Sequence, residues 1–303
     1  MPNSHSWNSL NRAQLWATGY QKTGSTIMTK AIAAGMHWGV NTEAVMQCCC
    51  KGSLQWNPEA SCNSLAPYSQ SDCVNRNNIA GSLFNGSMEV FLDTCGASSC
   101  QVVKTDDVLW DMQRLRSVLW QRVGVAPLIV FYVRHPIFNI RAMLAWCTED
   151  MASWVDAETA EQRCTAHFGQ LRAESPNQDQ LWQRPFLGPS NQPTSDAISL
   201  AATWKRAARI YLDDPSAFIG AIRLEDFRTD PVAAVRRIVM LAYGPSAAAS
   251  CDGDAVLQVS QTEKPHQHTY EVENASLVFS APKTAAILNI VAPEMAAFDY
   301  AME

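Results

Sequence analysis

The chain has 303 residues, 47% of them hydrophobic and 17% charged, with a formal net charge of −6. That length and apolar content supply the core of one large domain or two smaller ones, and the acidic balance argues against nucleic acid or an acidic membrane surface as a partner. No apolar run is long enough for a helical membrane segment, and residues 1–12 are polar, without the apolar centre of a signal peptide, so a soluble chain is expected.

The first predicted element is an apolar strand over residues 15–20. A tight turn follows between Gly19 and Gly24, with Gln21, Lys22 and Thr23 at its crest, and Ser25 and Thr26 open a helix over 26–34. Strand, tight turn and helix N-terminus together hold a phosphate well: the helix N–H groups and the positive end of its dipole face the anion. Lys22 adds a point charge, and Ser25 and Thr26 add hydroxyl donors. Residues from about 44 to 100 then read as an irregular insertion rich in Ser, Asn and Gly. Of the ten cysteines, seven fall there: Cys48, Cys49, Cys50, Cys62, Cys73, Cys95 and Cys100. Disulfides among them would staple the insertion and imply an oxidising compartment; reduced thiols are the opposing reading, and no recurring Cys-x-x-Cys pair supports zinc. Asn85-Gly-Ser and Asn274-Ala-Ser are glycosylation sequons, short enough to arise by chance.

Residues 101–104 form a short predicted strand that runs into Thr105, Asp106 and Asp107, and a helix pattern covers 110–123. The unbroken apolar run 128–133 has the character of a buried parallel strand. Arg134 stands at its carboxyl end, where open α/β sheets place their ligands. His135-Pro136 stops the strand, and a helix is expected over 139–146. A polar region from about 147 to 196, holding Trp154, Cys164 and Trp182, reads as a lid or acceptor wall. A helix over 199–212, a strand over 219–224 and a helix over 232–243 follow, the last bracketed by Pro231 and Gly244. A loop around 250–254 and a helix over 283–291 complete the chain. Strands alternating with helices predict the α/β class: a three-layer αβα domain spanning 1–303 around a central parallel sheet.

A nucleoside-triphosphate P-loop reads G-x-x-x-x-G-K-[ST]; here Gly19 and Gly24 keep the spacing, but Ser25 stands in place of the lysine. Gln21-Lys22-Thr23-Gly24-Ser25-Thr26 instead resembles the 5′-phosphosulfate loop of sulfotransferases that use 3′-phosphoadenosine-5′-phosphosulfate (PAPS). Arg134-His135-Pro136 resembles that family's Arg-x-Pro strand end, whose arginine grips the 3′-phosphate. The family's serine eight residues later is Ala142 here, which leaves Asn139 or Arg141 to take its part. Arg223-Leu224-Glu225-Asp226-Phe227 resembles the family's R-Y-E-D-L strand end, with Leu224 where an aromatic touches adenine. Adenine is then left to apolar contact or to another side chain, and Glu225 and Asp226 read as structural carboxylates. The three segments occur in the family's order.

The resemblance implies a P-loop-like sulfotransferase fold, PAPS as sulfonate donor, no metal, and in-line transfer to a hydroxyl or amine of a saccharide or small-molecule acceptor. It places Lys22 at the oxygen bridging sulfur and the leaving phosphate, and Lys264, in the late segment 262–270, over the 3′-phosphate. Cytosolic members carry K-[ST]-H with a histidine base; Lys104-Thr105-Asp106 matches it with a carboxylate in the base position. Asp106 therefore ranks first as general base. Glu43 ranks second, lying about where glycosaminoglycan sulfotransferases carry a glutamate, and Asp107 third, since it reads better as a helix cap. The cysteine-rich insertion resembles lumenal Golgi enzymes, whereas the absence of an anchor and the Lys-Thr-Asp segment lean toward cytoplasmic ones. Two other readings stand beside this one. A P-loop kinase is opposed by the displaced lysine and the Arg-x-Pro strand end. A nucleotide-binding protein without turnover would explain Ala142 and Leu224 as decay. Acceptor identity and oligomeric state stay open.

Overall fold

In this computed structural model, which describes residues 15–20, 23–38, 40–41, 102–104, 109, 112–123, 127–147, 157–174, 196–262 and 278–301, the apolar runs pair into a parallel sheet. The chain forms β1 (Leu15–Gly19), α1 (Ser25–Gly35), β2 (Val40–Asn41), β3 (Val102–Lys104), α2 (Met112–Val123), β4 (Leu128–Val133), α3 (Pro136–Cys147) and α4 (Ala157–Glu174). It continues through α5 (Ala197–Asp213), β5 (Gly220–Arg223), α6 (Leu224–Thr229), α7 (Pro231–Tyr243), α8 (Pro245–Ala249), α9 (Gly253–Thr262) and α10 (Ala281–Ala297). The sheet order is β2-β3-β1-β4-β5. β1 is thus flanked by β3 and β4, and the connection between those two crosses over it. A crevice beyond the carboxyl end of such a central strand is where open α/β sheets bind ligands.

The pleat sorts the core into two layers. Trp16, Ile129, Phe131 and Val133 point to one side, where they meet Ile137 and Ile140 of α3, Ala160 of α4, Leu200 and Trp204 of α5, and Ile287 and Val291 of α10. Leu15, Ala17, Val130, Tyr132 and Ile222 point to the other, against Met28 and Ile32 of α1, Val235 and Ile238 of α7, and Val256 of α9. Each fully buried large apolar side chain contributes about 1.5–3 kcal/mol, whereas helix propensities differ by a few tenths per residue, so packing decides where the helices lie. Helix ends follow local chemistry. Asp196 caps α5 by accepting from Ser199 N at 2.9 Å, and Asp230 caps α7 by accepting from Ala233 N, with Pro231 at the first helical position.

The structure departs from the sequence reading at several points: β2, α6, α8 and α9 are additional elements, and α10 is longer than the helix expected over 283–291. Residues 157–174, expected within a polar lid, form α4, whose Ala157, Ala160 and Cys164 are buried in the core beside α3. The loop expected around 250–254 is confined to residues 250–252, and α9 starts at Gly253, because Asp252 Oδ1 accepts from Asp254 N at 3.0 Å and Ala255 N at 3.1 Å. Helix α3 begins at Pro136 rather than at residue 139, since proline suits a first helical turn. The insertion at 44–100 and its seven cysteines, Trp154 and Trp182 lie outside the described residues. Cys164, in α4, is disulfide-bonded.

Candidate functional site

β1 ends in a buried Thr18 and Gly19, and Gly19 pairs in register with Tyr132 of β4. A β-carbon on Gly19 would lie 2.4 Å from the Tyr132 carbonyl oxygen, so glycine lets the two strands close up where the turn begins. Thr23 is 0% exposed, and its Oγ1 has no hydrogen-bond partner among the described residues. Gly24 precedes α1 in the left-handed region, at φ 77° and ψ 17°, and gives the helix no side-chain cap. The first intrahelical bond runs from Met28 N to Gly24 O at 3.2 Å, which leaves the N–H groups of Ser25, Thr26 and Ile27 outside the helical ladder. Ser25 is buried and Thr26 partly so. Thr29 Oγ1 donates to Ser25 O at 2.6 Å and lies 3.3 Å from Tyr132 Oη, tying α1 to β4.

Two further strand ends reach the same edge. Lys104 closes β3 and is buried; it pairs in register with Ala17, two residues before Gly19. Arg134 leaves β4 two residues after Tyr132 and is only 3% exposed. Its carbonyl accepts from Trp204 Nε1 of α5 at 3.1 Å, while the next N–H, of His135, donates to Glu225 Oε1 at 3.0 Å. Asn139 and Arg141 are buried in α3, a helix covered by protein around most of its girth. Two residues apart on a helix means roughly 200° of rotation, so the two side chains leave α3 on nearly opposite faces. Ala142 is buried as well.

β5 supplies the frame. Val133 pairs with Arg223, whose guanidinium binds both carboxylate oxygens of Asp226 and donates to the carbonyls of Phe298 and Asp299 at 3.1 and 2.8 Å. The hydrogen bond that Arg223 donates to Asp226 raises the arginine pKa above its ordinary value, and the guanidinium lies over the Tyr300 ring at 5.4 Å. Glu225 Oε2 accepts from Tyr300 Oη at 2.8 Å. Both carboxylates thus make structural bonds. Leu224, only 4% exposed, packs on the turn: its Cδ1 lies 2.5 Å from where a β-carbon on Gly24 would sit. Its side chain is occupied in supporting that glycine. His135 packs edge-on against Tyr300, and burial first, then the neighbouring Arg134, push its pKa down to about 4 despite a hydrogen bond with the Ala301 backbone. Burial also pushes the phenols of Tyr20 and Tyr300 well above their ordinary range.

Of the residues expected from sequence, Thr23, Gly24, Ser25, Thr26, Lys104 and Arg134 therefore gather at one sheet edge, with Asn139 and Arg141 behind it in α3. Gln21, Lys22, Glu43, Asp106 and Lys264 lie outside the described residues. Trp204 and Tyr300, which hold the peptides around Arg134, were not expected; nothing in their local sequence marks them. A separate cavity of about 400 Å³ is lined by Glu158, Glu161, Asp196 and Lys283, among others. Three carboxylates against one lysine make it a poor host for a polyanion.

No family profile matches the sequence, and neither does any curated protein. Among solved structures, the chain is similar to a sulfotransferase from Mycobacterium tuberculosis, with 14% identity and a TM-score of 0.41 over 88% of this chain and 75% of that one. That likeness is distant, and the residues of this chain carry the functional reading.

Proposed function

We propose that the chain is a sulfotransferase that takes its sulfonate from PAPS and delivers it to a hydroxyl or amine of a carbohydrate or small-molecule acceptor, on a P-loop-like sulfotransferase fold. The observation that carries this reading is Thr23. Its hydroxyl is wholly buried with no hydrogen-bond partner among the described residues, beside a helix N-terminus that has no side-chain cap. A buried hydroxyl left in that state costs about 1–3 kcal/mol, and an anion in the turn removes the cost. The surroundings fit a nucleotide with two anionic ends, because the turn carries Lys22 and lies beside the strand end that carries Arg134.

When bound, the nucleotide supplies a sulfonate joined to a phosphate leaving group. The residues of this chain then have separate tasks. Lys22 and the groups from Gln21 to Thr26 meet the charge growing on the leaving phosphate, the kind of fixed positive field that transfer of such a group needs. Arg134 binds the 3′-phosphate, with Asn139 or Arg141 beside it and Lys264 over it. Asp106, or failing it Glu43, takes the acceptor proton. Lys104 brings a further positive charge to the edge.

The test is incubation with labelled PAPS and pooled saccharides, phenols, alcohols and amines, with mass detection of sulfated product. Product is expected from the native chain, and Lys22→Ala is expected to lower turnover by on the order of 10²–10³. Undiminished turnover in Lys22→Ala rejects the role given to that lysine. Absence of both product and nucleotide binding rejects the function.

A further inference from the structure

One peptide group, the one joining Arg134 to His135, is held at both poles by side chains from separate helices. Its C=O accepts from Trp204 Nε1 at 3.1 Å, and its N–H donates to Glu225 Oε1 at 3.0 Å. At the end of a strand the ladder no longer satisfies such groups, so they need other partners. Here the partners are directional and largely removed from water: Trp204 is buried in α5, and Glu225 is itself fixed by Tyr300 Oη at 2.8 Å. Two hydrogen bonds on opposite poles fix the plane of a peptide about the chain axis. That plane sets the ψ angle of Arg134 and with it the direction in which the arginine side chain leaves the backbone.

From this geometry we propose that Trp204 and Glu225, with Tyr300 behind Glu225, are positioning residues for Arg134. They hold its guanidinium ready for the 3′-phosphate of the nucleotide, and so set the preference for a nucleotide carrying that group. The inference rests on the proposed function, because it takes Arg134 as the 3′-phosphate ligand. It assigns these residues no contact with the nucleotide. Segment 298–301 belongs to the same device: Arg223 binds its carbonyls at Phe298 and Asp299, and Tyr300 and Ala301 meet Glu225 and His135. Displacing this segment releases Glu225, and through it the Arg134 peptide.

The experiment compares calorimetric binding of adenosine 3′,5′-bisphosphate with that of adenosine 5′-monophosphate, which lacks the 3′-phosphate. Arg134→Ala sets the full loss of preference. Trp204→Phe, which keeps a ring but loses the donor, and Glu225→Ala are each expected to lower the preference for the bisphosphate by about tenfold, with little change in monophosphate affinity. Glu225→Gln, whose amide oxygen still accepts from His135 N–H, is expected to restore it. A role in general stability would weaken both ligands together and leave their ratio unmoved. In the ligand-free protein, amide hydrogen exchange at His135 is expected to quicken in Glu225→Ala. Unchanged preference in Trp204→Phe and Glu225→Ala, with Arg134→Ala still losing it, overturns this inference alone, as does unchanged exchange at His135. A native chain that binds the two nucleotides equally overturns the functional reading and this inference with it.

Discussion

Gly24→Ala probes the turn most sharply, because the structure separates two costs at that position. The backbone sits at φ 77°, and an L-residue in the left-handed region costs roughly 1–2 kcal/mol. The new methyl would also lie 2.5 Å from Leu224 Cδ1, 3.1 Å from Cδ2 and 3.3 Å from Cγ. Crowding a packed contact in this way typically costs about 1–3 kcal/mol more, so the substitution should destabilise by about 2–5 kcal/mol in all. Only the crowding can be relieved from outside. Leu224→Ala removes all three atoms, so in the double variant the crowding cost disappears and the conformational cost stays. A double-mutant cycle from urea unfolding should therefore show a favourable coupling of about 1–3 kcal/mol. Additivity within about 0.5 kcal/mol would refute the contact between the β5 end and the turn. Gly19→Ala is the control: its methyl would meet a backbone oxygen at 2.4 Å, which no side-chain truncation removes, so Leu224→Ala should not rescue it.

Two further outcomes follow from buried groups. The His135 pKa falls from 6.5 to about 4 in the folded chain, so between those values the unfolded chain binds more protons and stability drops as the pH falls. Relative to His135→Gln, the native chain should lose about 3 kcal/mol between pH 7 and pH 4 in urea unfolding; a constant difference between the two proteins would contradict the burial of that imidazole. The second outcome concerns thiols. Alkylation of the unfolded, unreduced chain followed by mass mapping should leave Cys164 unmodified until a reductant is added, because it is disulfide-bonded. Cys251, a free thiol that is buried and whose pKa burial raises, should react only on unfolding, so prompt labelling of Cys251 would contradict its burial.

Part of this architecture is legible in the order of residues alone, for physical reasons. β4 shows its true bounds because a strand covered on both faces must be apolar throughout, and residues 128–133 are. The turn and the arginine after β4 can be read because their chemistry depends on residue type: glycine, lysine and hydroxyls at a helix start, arginine at a strand end. Helix α4 escapes notice because its buried stripe, Ala157, Ala160 and Cys164, is made of small side chains set among polar ones, so its periodicity is faint. The support of Gly24 by Leu224 joins residues far apart in the chain, and no local pattern encodes it. Trp204 and Glu225 bind backbone atoms, and a backbone N–H or C=O has the same letter-free identity at every position. The sequence can show which side chain reaches out, but not which peptide it reaches.

The parallel order of the strands has a consequence for how this protein gains and loses its structure. No two neighbouring strands of the sheet are joined by a tight hairpin, and the elements meeting at the turn come from opposite parts of the chain. Such pairings require long loops to close before any contact rewards them, which makes acquisition of the structure slow and strongly cooperative. A nascent chain released before β5 is made has the lysine-bearing turn and the arginine, yet lacks the leucine under the turn and the carboxylate behind the arginine. The carboxylate in turn waits for Tyr300, so the finished edge should arrive late and all at once, after synthesis passes residue 301, and a ligand of the kind proposed above should protect the whole sheet from opening rather than one corner of it.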